Sequence, residues 1–245
     1  MMDAMIFAAG LGTRLRPLTN HTPKPLIPVA GVPMLERVAR RLIEAGADRL
    51  IINTSHLAAQ IERFVEERDG FGVDVRLSHE PDEPLDTGGA LWHARGHFRG
   101  DAPFLLHNGD VLSDLPLARM YASHCASGAL ATLAVLPARP DRYLLFDDSG
   151  LCGLARRHTG QEELARTTAG VVRRFEFAGV HVVSPDIFGL ITERGTFSIF
   201  WLYLRLASTG AGIVPFPAEG ARCVDIGSFE GLRAAEALFR KPTHP

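Results

Sequence analysis

Lysine is almost absent from this chain: Lys24 and Lys241 stand against twenty-four arginines, 26 basic residues in all. Arginine is therefore the default cation, and a lysine kept in a distinctive setting calls for its own reason. Net charge is missing as well. The 26 basic and 28 acidic residues leave −2 and a pI near 6.6, which gives no general pull toward nucleic acid or an anionic membrane. Any anionic ligand must be met by local charge. Cysteine is scarce: Cys125, Cys152 and Cys223 are odd in number, widely spaced and without metal-ligand spacing. That argues against a disulfide framework and for reduced thiols in a cytoplasmic setting. No long apolar run occurs. The opening MMDAMIFAAGLG has no basic n-region and only a short apolar stretch, so neither a signal peptide nor a membrane span is expected. Repeats, low-complexity tracts and charge blocks are lacking too. What remains is a chain of 245 residues, 46% hydrophobic and 22% charged, ordinary for a soluble enzyme with one good core.

The informative stretch is AAGLGTRLRPLTNHTPKPLIPVAG, Ala8 to Gly31. The apolar run Ala4 to Ala9 reads as a buried strand that breaks into a loop at Gly10, Leu11, Gly12, Thr13 and Arg14. A strand ending in such a loop turns several N–H groups toward one point, a concavity suited to phosphate oxygens. Arg14 and Arg16 add positive charge. Lys24 lies between Pro23 and Pro25, whose rings fix φ on both sides and present the ammonium from a stiff segment. A compact, rotatable cation suits a phosphate that changes geometry during reaction; the plainer reading is a solvated loop lysine. Two familiar glycine loops do not fit. Gly12 is followed by Thr13 and Arg14 rather than Lys-Ser/Thr, and Leu15 stands where the dinucleotide fingerprint needs a small residue.

Beyond this loop, helix and strand patterns alternate. Met34 to Ala45 is a helix stopping at Gly46, Arg49 to Asn53 a strand, Ala58 to Arg68 a helix and Val73 to Ser78 a strand. The polar loop His79 to Gly89 runs into a helix predicted over Ala90 to Phe98, and Pro103 to Asp110 is an apolar strand ending in Asn108, Gly109 and Asp110. Leu117 to Cys125 reads as a helix and Leu130 to Leu136 as a strand. Then regularity loosens. Leu144 to Phe146 and Leu151 to Ala155 form a hairpin around DDSG, Arg156 to Arg174 reads as a mobile loop, and Phe175 to Val183 as a strand. Pro185 to Ile191 and Ser198 to Ser208 are helices, Gly212 to Phe216 a strand, and Phe229 to Phe239 a closing helix with Leu232, Ala235 and Phe239 on one face. The expected class is α/β, a Rossmann-like, mostly parallel sheet with helices on both faces and ligands beyond the carboxyl ends of its strands. A small β-rich insertion in the second half would build the acceptor pocket. One domain is expected over 1–240, a nucleotide half to about 135 and a sugar half from 136, with a tail at 241–245.

The opening stretch resembles the signature of the sugar-1-phosphate nucleotidyltransferases. Gly10, Gly12, Thr13, Arg14, Pro17, Leu18, Thr19, Pro23, Lys24, Pro25, Leu26 and Pro28 all match that pattern. FAGVHVVSPDIF at Phe177 to Phe188 and GTFSIFWL at Gly195 to Leu202 match blocks of its sugar-side region, so the resemblance spans about Asp3 to Arg240. EPLDTGGA, HNGDV, FAGVHV and VDIGS are most similar to the short N-acetylmuramate 1-phosphate uridylyltransferase branch. No β-helical domain is expected.

The resemblance implies transfer of a nucleoside monophosphate from an NTP, with UTP the best reading, to a sugar 1-phosphate such as N-acetylmuramate 1-phosphate. Alternatives are guanylyl transfer to mannose or heptose 1-phosphate, thymidylyl or uridylyl transfer to glucose 1-phosphate, and a non-catalytic nucleotide-sugar binder. It implies that Ala8, Ala9, Gly10, Leu11, Gly12 and Thr13 hold the NTP phosphates, with Arg14 on the departing pyrophosphate and Lys24 on the α-phosphate. Thr87, Gly88 and Gly89 open a helix where unpaired N–H groups could meet the base; the plainer reading is a helix cap. Glu80 or Glu83 could accept from a ring N–H, as could backbone groups. A Mg²⁺ role falls to Asp110, at a strand's carboxyl end, and Asp225 of RCVDIGS matches the second metal aspartate; one or two carboxylates suffice for that ion. Singly, either could be a turn residue. Asn108 and Gly179 fall on the sugar-phosphate side. The acceptor-phosphate lysine block of many relatives is missing, and Arg156 and Arg157 either replace it or belong to a solvated loop. His93 and His97 have i, i+4 spacing, but without a third ligand they read as a surface face. The expected partners are the two substrates, with no nucleic acid and no membrane, and the chain as a monomer or homodimer.

Overall fold

The computed structural model describes residues 1–81, 83–138, 143–155 and 161–239. β1 (Asp3–Phe7) is followed by the long 8–27 loop, the short strands β2 (Pro28–Val29) and β3 (Val32–Pro33), and α1 (Met34–Glu44). β4 (Arg49–Thr54), α2 (Ala58–Glu67), β5 (Asp74–His79), α3 (Asp86–Ala94) and β6 (Phe104–Asn108) continue the alternation. β7 (Val111–Ser113), α4 (Leu117–Ser127) and β8 (Ala131–Pro137) come next, then β9 (Leu144–Asp147), β10 (Gly150–Ala155), β11 (Glu162–Leu164) and β12 (Arg173–Val183). α5 (Ile187–Leu190), α6 (Ile199–Ser208), β13 (Ile213–Pro217), β14 (Cys223–Asp225) and α7 (Phe229–Phe239) complete it.

β6, β1, β4 and β5 lie side by side and parallel. The apolar strand runs predicted this, because strands buried on both faces read as near-continuous hydrophobic stretches. Within β1, Ala4 and Ile6 point into the core under α1, α2 and α4, while Met5 points into the core under α3 and α6. β4 repeats the split with Leu50 and Ile52 against Ile51. The chain winds from β1 outward to β5, then returns to lay β6 on β1's other side. The carboxyl ends of β1 and β6, Phe7 beside Asn108, are thus the point where strand order reverses and a crevice opens.

Beyond β6 the sheet turns antiparallel. On one edge β12 pairs with β6 through Val180–Val183 and, farther out, with β9 through Arg173–Phe175, leaving a gap between the two ladders at 176–179. Its other edge pairs with β8, with a register shift between Phe177 and His181. Gly179 sits in that bulge at φ +80°, and a Cβ there would lie 2.7 Å from Val111 Cγ2. β9, β10 and β11 extend this part as the β-rich insertion.

Three expectations need correction. α3 begins at Asp86, not Ala90: glycines at 88 and 89 disguised its first turn, whose N–H groups are taken by a remote carbonyl. The 156–174 stretch, read as a loop, contains β11, whose ladder with β10 no local pattern announces. The sequence reading also missed the antiparallel ribbon of β7 and β14, in which Asp225 faces Val111. Among the described residues no helix is long and apolar enough to cross a membrane.

Candidate active site

The loop after β1 is held at both ends. The Ala8 N–H donates to Asn53 Oδ1 at 2.6 Å, and Gly12 adopts φ +63° with its carbonyl accepting from Thr19 Oγ1 at 2.8 Å. A Cβ on Gly12 would meet Thr19 Cγ2 at 2.7 Å and Lys24 Cβ at 3.1 Å, so only glycine lets the loop fold back over Lys24. Among the described residues nothing takes the N–H groups of Ala9, Gly10 or Leu11. They remain available to phosphate oxygens.

Lys24 is buried, and its ammonium pairs with the carboxylate of Asp110 across 86 residues of sequence. Pro23 is extended and Ile27 N–H donates to the Lys24 carbonyl at 3.1 Å, so a short turn fixes the stem. Asp110 is delivered by β6 and then locked by the ribbon: Ile226 N–H donates to the Asp110 carbonyl at 2.9 Å. That bond places Asp225 next to it. Asp225 Oδ1 accepts from Gly227 N–H at 2.6 Å, and a Cβ on Gly227 would collide with both the Arg14 guanidinium and the Asp225 carboxylate. Arg14 therefore sits at an exposed rim beside Asp225. Among the described residues Asp110 Oδ1 and Asp225 Oδ2 accept no hydrogen bond, and no group of three or more metal-ligating side chains occurs. Two open carboxylate oxygens, one in the turn between β6 and β7 and one at the end of β14, fit Mg²⁺, which completes its octahedron with water and phosphate oxygens.

One cleft gathers Ala8, Ala9, Gly10, Lys24, Glu80, Thr87, Asn108 and Asp110, with Phe7, Asn53 and Asp86 also on its walls. Leu11 borders a neighbouring hollow that shares Glu80 with it. Thr13 lies exposed in the turn Thr13–Leu15. The Asn108 side chain has no hydrogen-bond partner among the described residues. Behind it, His107 is fully buried with Nδ1 on the Asn108 carbonyl at 2.8 Å, and burial pushes its pKa down to about 4, so the ring is neutral at pH 7. Gly179 contributes through Val111, the residue after Asp110. Arg156 and Arg157 lie outside the described residues.

Two base-side readings change. Gly88 and Gly89 do not offer free N–H groups: both donate to the Phe197 carbonyl, at 2.9 and 3.1 Å, and Gly88 is buried against the Phe197 ring. Glu80 has both oxygens engaged, Oε1 by Asn53 Nδ2 at 2.6 Å and Oε2 by Leu85 N–H at 2.9 Å. It ties Leu85, just before α3, to Asn53 on β4. Thr87 remains on the cleft, its Oγ1 accepting from Ile199 N–H at 3.0 Å. Asn53 was overlooked. The available signal was its position: an amide closing the apolar run RLIIN at a strand's carboxyl end, where this fold class puts ligands.

Residues 3–143 match the Nucleotidyl transferase family. The N-acetylmuramate alpha-1-phosphate uridylyltransferase of Neisseria meningitidis serogroup B is 45% identical over 243 residues, covering 97% of this chain and 98% of that protein. Mannose-1-phosphate guanylyltransferase catalytic subunit beta of Drosophila melanogaster is 38% identical over 152 residues, 60% of this chain but only 41% of that longer protein. UDP-glucose pyrophosphorylase from Acinetobacter baumannii superposes with a TM-score of 0.79 at 21% identity, over 99% of this chain and 95% of that one, which shows the shared fold. With a family match over more than half its length and a relative of 45% identity along nearly all of it, the chain belongs to the nucleotidyl transferase family.

Proposed function

We propose that the protein transfers a nucleoside monophosphate from an NTP to a sugar 1-phosphate, releasing pyrophosphate, with Mg²⁺ as the metal. UTP and N-acetylmuramate 1-phosphate are the substrates we favour, because a relative matched along nearly its full length bears that name. The observation that carries the reading is the ion pair of Lys24 with Asp110, far apart in sequence, with Asp225 brought beside Asp110 by the ribbon, next to loop N–H groups that nothing takes among the described residues.

The acceptor's phosphate oxygen is already anionic at neutral pH, so it attacks the α-phosphorus without a general base, and pyrophosphate departs in line. The obstacle is repulsion between anions and charge growing on the leaving group. The N–H groups of Ala9, Gly10 and Leu11 receive phosphate oxygens, and the Lys24 ammonium, held toward the cleft by Asp110, shares its charge with the α-phosphate. Arg14 at the rim meets the departing pyrophosphate. Asp110 and Asp225 would hold Mg²⁺, which when bound neutralises phosphate charge. The Asn108 amide faces the incoming acceptor. Because Lys24 and the start of the loop are held before substrate arrives, little reorganisation of these groups accompanies reaction. A cytoplasmic setting suits three free thiols and an NTP donor.

The test mixes purified protein, Mg²⁺ and each of four NTPs with a panel of sugar 1-phosphates and follows pyrophosphate. Release that needs both substrates supports the reading. No release with any pair, from folded protein, refutes it.

A further inference from the structure

One acidic side chain of the cleft takes no part in the transfer chemistry. Among the described residues the carboxylates on the cleft's walls are Glu80, Asp86 and Asp110. Asp110 holds Lys24, and both oxygens of Glu80 are taken by Asn53 and Leu85. Asp86 is exposed and differs from both. Its Oδ1 accepts from the Thr87 N–H at 2.6 Å and from the Thr87 hydroxyl at 3.2 Å, while Oδ2 accepts no hydrogen bond among the described residues.

Helix capping does not account for this residue. A capping side chain sits on extended backbone and receives the N–H groups two or three residues on. Asp86 has φ +56°, and the N–H groups of Gly88 and Gly89 go to the Phe197 carbonyl instead. A glycine would make this left-handed turn without strain. Here the turn is gripped from outside. Phe197 N–H donates to the Leu85 carbonyl at 3.1 Å on one side of Asp86, and Ile199 N–H donates to Thr87 Oγ1 at 3.0 Å on the other. Because the same Thr87 hydroxyl donates to Asp86 Oδ1, the 197–199 backbone fixes both the strained residue and the tilt of its carboxylate. That backbone is anchored in turn. Arg194 lies 4.1 Å from the centre of the Trp92 ring on α3, and Glu193 grips Arg205 on α6 through both oxygens, at 2.6 and 2.8 Å. Strain held in place by its surroundings, on the wall of a ligand cleft, points to a use there.

We propose that Asp86 selects the nucleotide's base: its open oxygen accepts the ring N–H on the pairing edge of uracil, thymine or guanine, and repels the lone pair that cytosine or adenine presents there. The inference rests on the nucleotide reading of the cleft above and specifies the donor's class. A carboxylate only accepts hydrogen bonds. It therefore separates a ring that offers a hydrogen from one that offers a lone pair, by attraction and repulsion together. Water competes at an exposed residue, so the discrimination is about tenfold to a hundredfold, below that of a fully buried site.

The experiment measures binding of non-hydrolysable analogues of UTP, CTP, GTP and ATP by calorimetry, with Mg²⁺ and without acceptor, to the unmodified chain and to Asp86→Asn and Asp86→Gly. UTP and CTP are nearly equal in size, as are GTP and ATP, so each pair contrasts the pairing edge. The unmodified protein should bind the N–H-bearing member of its preferred pair at least about tenfold more tightly, and both variants should cut that ratio about tenfold. Asp86→Gly keeps the left-handed turn, and its Tm serves as the fold control. In turnover the loss should fall on the KM for NTP more than on kcat. Equal binding within the preferred pair, a ratio that both variants leave unchanged, or variants that weaken all four analogues alike would overturn the proposal while leaving nucleotidyl transfer intact. Failure of every analogue to bind would overturn both.

Discussion

Asn53 offers the sharpest check on how the cleft is held. It is 3% exposed, takes the Ala8 N–H with Oδ1 and gives its Nδ2 proton to Glu80, whose other oxygen takes Leu85 N–H. One amide thus sets both the start of the phosphate loop and the base-side loop. In Asn53→Asp the acceptor for Ala8 survives, but two carboxylate oxygens would face each other at the 2.6 Å now spanned by a hydrogen bond. Both cannot stay ionised there. Either one carboxyl takes up a proton or the 80–85 loop moves away, and each route costs about 2–4 kcal/mol, from a pKa shift of a few units or a lost buried charge-assisted bond. In Glu80→Gln alone, a single carbonyl must serve both Asn53 and Leu85, losing roughly 1–2 kcal/mol. Combining Asn53→Asp with Glu80→Gln restores every bond: the new carboxylate at position 53 accepts from the Ala8 N–H and from the new amide at position 80, whose carbonyl accepts from the Leu85 N–H. The expectation is a kcat/KM loss of about 10² for Asn53→Asp, with recovery to within about tenfold of the unmodified enzyme in the double variant, mirrored in Tm. The coupling should shrink as pH falls and the carboxyl pair retains a proton. If Asn53→Asp is silent in both rate and Tm, or the double variant is no better than it, the network is not what positions the loops.

Lys24→Ala should fold and lower kcat/KM by about 10² or more, the usual scale for a preorganised electrostatic group; steady-state kinetics with circular dichroism as the fold control decides this. Asp225→Asn should raise the Mg²⁺ concentration for half-maximal rate, and a superimposable metal titration would remove Asp225 from the ion's ligands. Stability should drop on mild acidification. Burial holds His107 near pKa 4 and His181 near 3, and lowers His124 as well. His107 and His181 take up protons on unfolding below about pH 6.5 but stay neutral in the folded state until near pH 4, so stability is full above pH 6.5 and declines toward pH 4, by roughly 1.4 kcal/mol per ring per pH unit, with His124 adding in the same direction. Denaturant titrations at pH 7.5, 6 and 5 would read it, and a flat profile would contradict the burial of these rings.

Some of this was legible in the chain itself. The strands at 4–9, 49–53 and 103–110 announce themselves by unbroken apolar runs, and with the helices between them they fix a parallel sheet and the end where ligands bind. The loop from Gly10 to Lys24 was equally plain, since its glycines and flanking prolines are local constraints. What escaped depends on partners distant in sequence. Gly88 and Gly89 begin a helix only because the Phe197 carbonyl, over a hundred residues later, takes their N–H groups. Glu80 looked free to read a base because nothing local shows Asn53 and Leu85 occupying it. The three-residue β7 carries too little periodicity to be seen alone, and nothing local shows that the short apolar strand at Asp225 pairs with it and so comes to Asp110.

Under the proposed transfer, β12 explains why donor and acceptor would meet beside Asn108. Its last four residues complete the sheet against β6, and its first three hold β9, so one strand joins the parallel sheet to the β-rich part. The two ladders cannot run on continuously, because Gly179 must pass Val111 at a distance that excludes any side chain. The resulting bulge interrupts β12 at the level of Asn108, opening the sheet's edge beside the cleft, on the side from which the proposed acceptor would approach. A Cβ at this position has two hindrances at once, a 2.7 Å encounter with Val111 Cγ2 and a φ of +80°. Gly179→Ala should therefore push Val111 and its neighbour Asp110 together. Its signature is a fall in kcat with either a raised Mg²⁺ requirement or a lowered Tm, whereas a substitution without effect on all three would show that the bulge has slack and does not set the geometry of transfer.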